Sequence, residues 1–179
     1  TTAYQPFSVL SINRASPPPT PPPGDGECLP FWHAYGSYCY IVFNDKQGRS
    51  WPEARHLCQE IPGSDLASVH SRAEVEFLTK TNNTGIHHLW LGLSRDASYG
   101  WAWTDLSALG FTNWAQGEPN GDGHAGTRED CVEMYKDGKW NDNSCLEKRG
   151  FVCKLKLSSV SLPSSSRNHV DVVSYVRLP

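Results

Sequence analysis

From Ser50 to Leu78 apolar residues return every three or four positions, whereas beyond Leu89 they come in short bursts parted by Gly, Asn and Asp. The first pattern is helical and the second is that of short strands. Ser50-Trp51-Pro52-Glu53 has the form of a capping box with Pro in the first turn, where its missing N–H is tolerated. Ala54, Leu57, Cys58 and Ile61 follow at helical spacing. Ser71-Arg72-Ala73-Glu74 repeats the signature, with Val75 and Leu78 on one face. Strands are expected over 38–43, 89–93, 101–104, 131–135 and 151–157, which are short, aromatic or β-branched. Helices early and strands mostly late predict an α+β fold on an antiparallel sheet. Trp101 and Trp103 share one face of a strand and are expected to be core. His87 and His88 point to opposite faces, so they do not chelate one ion together and read as structural.

The two ends differ in composition from the middle. Six of the 13 prolines fall within 17–23, an extended polyproline spacer, and 158–166 is Ser-rich with Pro163. All six cysteines and all seven tryptophans lie between these segments. The expected organisation is therefore a linker over 1–26, one folded domain over 27–157 and a tail over 158–179. Apolar pieces at 7–12 and 170–176 lie outside that domain. An even number of widely spaced cysteines (Cys28, Cys39, Cys58, Cys131, Cys145, Cys153), with no Cys-x-x-Cys pair, points to three disulfides and an extracellular setting. A net charge of -3 without a basic run argues against nucleic acid as a partner. No apolar run is long enough to span a membrane. A secretory signal is expected to have been removed already, and a piece cut from a longer receptor reads the same way.

The stretch 116–131 (QGEPNGDGHAGTREDC) is loop by composition, yet it carries an acid or an amide at nearly every second position. Between Glu118 and Asp142 seven acids meet three bases, a net -4 that exceeds the charge of the whole chain. Such crowding is unfavourable unless a cation relieves it. A hard divalent ion with oxygen ligands fits, and calcium accepts an irregular geometry that magnesium refuses. A twelve-residue EF-hand loop laid from Glu118 matches at Asn120, Asp122, Gly123 and Glu129. It fails at position 1, at Ala125 and in its flanks, which are not helical. A second set of oxygens follows at Asn141-Asp142, and a bridge between Cys131 and Cys145 would return it beside Glu118. Asn82-Asn83-Thr84 has the form of an N-glycosylation acceptor at Asn82.

Together these residues resemble the C-type lectin-like domain in its long form, over residues 28 to about 155. The resemblance is carried by Cys28 and Cys39 around Tyr35–Tyr38, Cys58 in the first helix and Trp90-Leu91-Gly92-Leu93. Glu118-Pro119-Asn120, Trp140-Asn141-Asp142 and Phe151-Val152-Cys153 complete it. It implies two helices, antiparallel sheets and a long irregular loop region. It also implies bridges Cys28–Cys39, Cys58–Cys153 and Cys131–Cys145, where sequence alone leaves 15 connectivities open. The family's principal calcium site maps onto Glu118, Asn120, Glu129, Asn141 and Asp142, with Asp142 adding its main-chain carbonyl. Glu118, Asn120, Glu129 and Asn141 would also face two vicinal sugar hydroxyls, each carboxylate accepting and each amide donating. The Glu-Pro-Asn order goes in the family with mannose, fucose or N-acetylglucosamine, and Gln-Pro-Asp with galactose. The Glu118–Pro119 bond is expected to be cis.

Two departures stand out. Arg95 and Tyr99 occupy positions where family members with an auxiliary calcium site carry acids, so that site is expected to be absent. The loop is also longer over 121–128. Asp122 and His124 within it read as solvated, and protonation of His124 at endosomal pH is a variant reading that would weaken calcium binding. The sequence therefore predicts a non-catalytic, calcium-dependent lectin of mannose type. Its partners would be glycans with vicinal equatorial hydroxyls, on glycoproteins or cell surfaces, and it would gain avidity from homo-oligomers or a multidomain parent. The competing readings are an interaction or mineral-contact module on the same fold, and a small secreted glycoside hydrolase using two of Glu118, Glu129 and Asp130.

Overall fold

The computed structural model describes residues 28–82, 85–121 and 127–157. The segments 1–26 and 158–179, with the apolar pieces they contain, lie outside the described residues, as do Asn83, Thr84, Asp122 and His124.

A hairpin of β1 (His33–Tyr35) and β2 (Tyr38–Phe43) leads into α1 (Trp51–Gln59), then β3 (Ser64–Leu66) and α2 (Arg72–Thr81). The strands β4 (Leu89–Asp96), β5 (Gly100–Trp103), β6 (Cys131–Met134), β7 (Trp140–Asn143) and β8 (Gly150–Lys156) follow. The sheet runs β1-β2-β8-β4-β6-β7, with β3 joined to β8 and β5 to β4. Both helices begin where the sequence places them. Two short strands that it does not predict, β1 and β3, are held by their partners more than by their own pattern.

The expected antiparallel sheet is corrected at its centre. β4 and β8 pair in parallel through Leu89↔Gly150 and Trp90↔Phe151, so the sheet is mixed. β6 opposes β4 and β7 opposes β6, which sets β7 running with β4. The connection 144–149 then returns the chain to the middle in that same direction. Side-chain alternation reports faces and not strand direction, so the sequence does not reveal this.

Two clusters fill the interior. One gathers Leu78, Leu89, Leu91, Trp103, Met134 and Trp140, and the other Trp51, Cys58, Leu66, Trp90 and Phe151. Trp51 Nε1 donates to the Leu91 carbonyl at 2.8 Å, and Trp90 Nε1 to the Arg49 carbonyl at 2.9 Å, so buried indoles stitch the α1 region to β4. Gly92 lets β4 approach the backbone at the end of β3: a Cβ there would stand 2.5 Å from the Leu66 carbonyl oxygen. Trp103 is buried as expected, while Trp101 is half-buried against Trp114.

The two capping boxes differ. At α1 the Ser50 N–H and hydroxyl both donate to Glu53 Oε2, at 2.8 and 2.7 Å. At α2 the Glu74 N–H donates to Ser71 Oγ at 3.1 Å, but the Glu74 carboxylate turns inward. There it accepts from the Tyr40 hydroxyl, the His70 N–H and Lys154 Nζ. Glu74 and Lys154 are 5% and 7% exposed, a buried ion pair whose remaining valences are satisfied by Tyr40 and Ser68. Three disulfides, Cys28–Cys39, Cys58–Cys153 and Cys131–Cys145, lock the ends of these elements together, in the pairing the resemblance implies.

Candidate functional site

Between β5 and Glu118 the segment 113–115 lies alongside the start of β7, bridged in parallel through Trp114 and Trp140. Trp140 N donates to the Asn113 carbonyl at 2.9 Å, and Ala115 N to the Trp140 carbonyl at 2.8 Å. Gly138, at φ 86°, makes the turn into β7 and offers its carbonyl to Asn113 Nδ2 at 2.7 Å. Trp140 itself is fully buried, with Trp103, Phe111 and Trp114 set edge-on around its ring. This aromatic floor fixes the height at which the loop crosses the strand.

On that floor the loop and β7 meet. The Glu118–Pro119 bond is cis, as expected. Asp142 is wholly buried and takes two loop amides, Asn120 N on Oδ1 at 3.0 Å and Gly121 N on Oδ2 at 2.7 Å. Glu118 Oε2 also accepts from Asn120 N, at 3.1 Å. The Glu118 carboxyl is held above its ordinary value, first by burial, then by the neighbouring Asp142 carboxyl, and further by the charge of Glu129. Thus Glu118, Asn120 and Asp142 meet through hydrogen bonds, while Asn141, next to Asp142 on β7, turns its amide to Glu133. Among the described residues no group of three His, Cys, Asp or Glu side chains is placed to hold a metal ion.

Below the loop, β6 and β7 pair with Glu133 opposite Asn141 and Val132 opposite Asp142. Glu133 is 2% exposed, and its Oε1 accepts from Asn141 Nδ2 and Asn143 Nδ2, each at 3.1 Å. Arg149 Nε donates to Oε2 at 2.5 Å, and His88 Nδ1 lies 3.5 Å from Oε1. Sequence reading counted Glu133 among the acids without giving it a role. The signal for one is an acid inside an otherwise apolar strand, Cys131-Val132-Glu133-Met134.

Arg95 replaces an expected acid and acts as a cation. Its Nε donates to Asp130 Oδ1 at 3.0 Å, its guanidinium reaches the Gly121 carbonyl at 3.5 Å, and its Cζ stands 5.6 Å from the Trp101 ring centre. Arg128 holds the same Asp130 carboxylate from the other side at 2.9 Å. Tyr99 is exposed and takes no part. His87 is fixed by Asn44 and His88 by Glu133 and Tyr135, in keeping with structural roles. Asn82 caps α2 and is 9% exposed, and its side-chain oxygen accepts from Asn44 Nδ2 at 2.9 Å. A glycan at that position would need this packing to open.

The fold on which these residues sit is a mixed sheet flanked by two helices and closed by three disulfides. Residues 47–155 match the family model of the lectin C-type domain. The chain is 37% identical over 142 residues to C-type lectin lectoxin-Lio2 of Erythrolamprus poecilogyrus, covering 75% of this chain and 84% of the lectoxin. It is 35% identical over 170 residues to C-type mannose receptor 2 of Homo sapiens, covering 92% of this chain but only 11% of the receptor. Among solved structures, the cow C-type carbohydrate-recognition domain of CD23, in the presence of GlcNAc2Man3 oligosaccharide, aligns with a TM-score of 0.66 and 32% identity. That alignment covers 74% of this chain and 98% of the CD23 domain. The protein belongs to the C-type lectin domain family, a non-enzymatic family, which removes the glycoside-hydrolase reading.

Proposed function

We propose that the protein binds glycans outside the cell through one calcium ion held by Glu118, Asn120, Glu129, Asn141 and Asp142, with mannose-type preference. The observation that carries this reading is the convergence of the Glu118 and Asp142 carboxylates on a single N–H, that of Asn120, at 3.1 and 3.0 Å. Two carboxylates so placed require a shared proton or a cation. At neutral pH a cation is the better answer, because side-chain amide oxygens of Asn120 and Asn141 complete an all-oxygen donor set.

The donor set fits calcium and also leaves groups for sugar. The bound ion would supply Lewis-acid contact to two vicinal hydroxyls. The protein contributes the polarity around them: each carboxylate accepts a hydroxyl proton, and each carboxamide offers an N–H. Glu118 paired with Asn120 gives the acid-then-amide order, which favours the vicinal equatorial hydroxyls of mannose, fucose or N-acetylglucosamine. One shallow contact of this kind is weak, so useful avidity requires several copies or neighbouring domains. Secreted or receptor-ectodomain location follows from three disulfides together with the receptor and toxin relatives.

The test is retention on mannose-agarose with calcium and release by a chelator. The double substitution Glu118→Gln with Asn120→Asp is expected to move retention toward galactose-agarose. Retention that ignores the chelator would refute the calcium mechanism. A protein that passes mannose, fucose and galactose columns in calcium alike would leave the interaction-module reading in its place.

A further inference from the structure

We infer that Glu133 is the positioning residue that sets the orientation of the Asn141 carboxamide at the calcium and sugar site, an inference that rests on the calcium reading above. An amide can present either its oxygen or its nitrogen to a given neighbour, and only the surrounding donors and acceptors decide which. A carboxylate has acceptors alone. With Glu133 Oε1 at 3.1 Å, Asn141 turns its NH2 down into the sheet, and Oδ1 is left on the opposite side of the carboxamide as a metal donor. Asn141 has two N–H groups, so the one not given to Glu133 remains for a sugar hydroxyl.

The arrangement around Glu133 is complete. Asn143 Nδ2 holds the same oxygen at 3.1 Å, Arg149 Nε holds the other, and His88 Nδ1 faces Oε1 at 3.5 Å. Arg149 in turn stands 6.0 Å from the Trp90 ring centre, so the guanidinium is fixed from behind. A carboxylate buried at 2% exposure inside a strand is costly unless it is paired and hydrogen-bonded on both oxygens, and here it is. The antiparallel register that opposes Glu133 to Asn141 delivers this contact without any contribution from the loop.

The experiment separates orientation from stability. Calcium titration by calorimetry is run on the parent, Glu133→Gln and Arg149→Gln. Gln at 133 keeps the volume but can offer its NH2 to Asn141, which permits the flipped amide. Glu133→Gln is expected to weaken calcium binding about 10- to 100-fold, the usual effect of losing a residue that orients a metal ligand. Arg149→Gln removes the same ion pair but leaves the carboxylate against Asn141, so it is expected to lower Tm while calcium affinity holds. Equal losses of affinity in the two variants, or none in Glu133→Gln, would overturn the proposal.

A second readout needs no metal. In chelator, the side-chain amide resonances of Asn141 are expected to exchange slowly with solvent in the parent and quickly in Glu133→Gln. Rapid exchange in the parent counts against Glu133. An ordered Asn141 amide in a parent that binds no calcium would sink the calcium reading while leaving the orientation by Glu133 standing.

Discussion

Glu118 shows how one side chain reports the state of the whole site. Burial and the neighbouring carboxylates of Asp142 and Glu129 raise its proton affinity above the ordinary value of 4.5. Without a cation, the folded protein therefore binds this proton more tightly than the unfolded chain. The contribution favours folding below the unfolded value and is lost as pH rises through the raised one. In chelator, Glu118→Gln is expected to melt above the parent at neutral pH, with the difference vanishing as pH falls through that window. Calorimetry across the pH range checks this, and a difference that stays constant with pH would contradict it. At the proposed site calcium would compete with the same proton, so calcium affinity in the parent is expected to fall on acidification through the same interval. The acid at 118 was legible from composition alone. Its contact with Asp142, 24 positions away, depends on the cis turn and on β7.

Among the elements, Gly121 and Asp130 are both held by a residue of β4. One Arg95 guanidinium on β4 reaches Asp130 and the Gly121 carbonyl together, and Arg95 N donates to the Asp130 carbonyl at 2.8 Å. Gly121 and Asp130 thus both rest on β4, and a cation belonging to the chain stands beside the Asp130 carboxylate. Losing a hydrogen bond to a charged group costs about 1.5–3 kcal/mol, so Arg95→Ala is expected to speed amide exchange at Gly121 and Asp130 roughly tenfold or more. Amides of β6 should be unaffected. Arg95→Lys should restore little, because a point charge cannot serve two acceptors as a planar fork does. Exchange that rises equally in β6 would mean that Arg95 supports the sheet and not the loop. Sequence reading marks Arg95 as a departure from an acidic pattern, but the partners that give it a role come from elements distant in the chain.

For the molecule as a whole, stability depends on ties between early helices and late strands. Cys58 in α1 is bridged to Cys153 in β8 across a sequence separation of 95 residues, and Glu74 in α2 pairs with Lys154 beside it. Cys28–Cys39 closes a separation of only 11 residues. Constraining a longer loop removes more entropy from the unfolded chain. Replacing Cys58 and Cys153 by Ala is expected to cost about 2–5 kcal/mol in urea unfolding, and more than the same change at Cys28 and Cys39. Equal costs would show that loop length does not govern the effect.

The sequence by itself determined what local spacing can carry: two helices with their starts, the strand-rich second half, an even set of cysteines, and a loop too rich in oxygen ligands to be only a turn. Periodicity and capping act within a few residues, which is why these features are readable in one dimension. The tertiary structure decided the parallel pairing of β4 with β8, the inward turn of Glu74, the clamp at Arg95 and the seat of Asn141 on Glu133. Each of these joins residues whose separation along the chain says nothing about their distance. Strand register is set by packing the whole core at once, and only that register brings Glu133 under Asn141 and Asp142 beneath the loop.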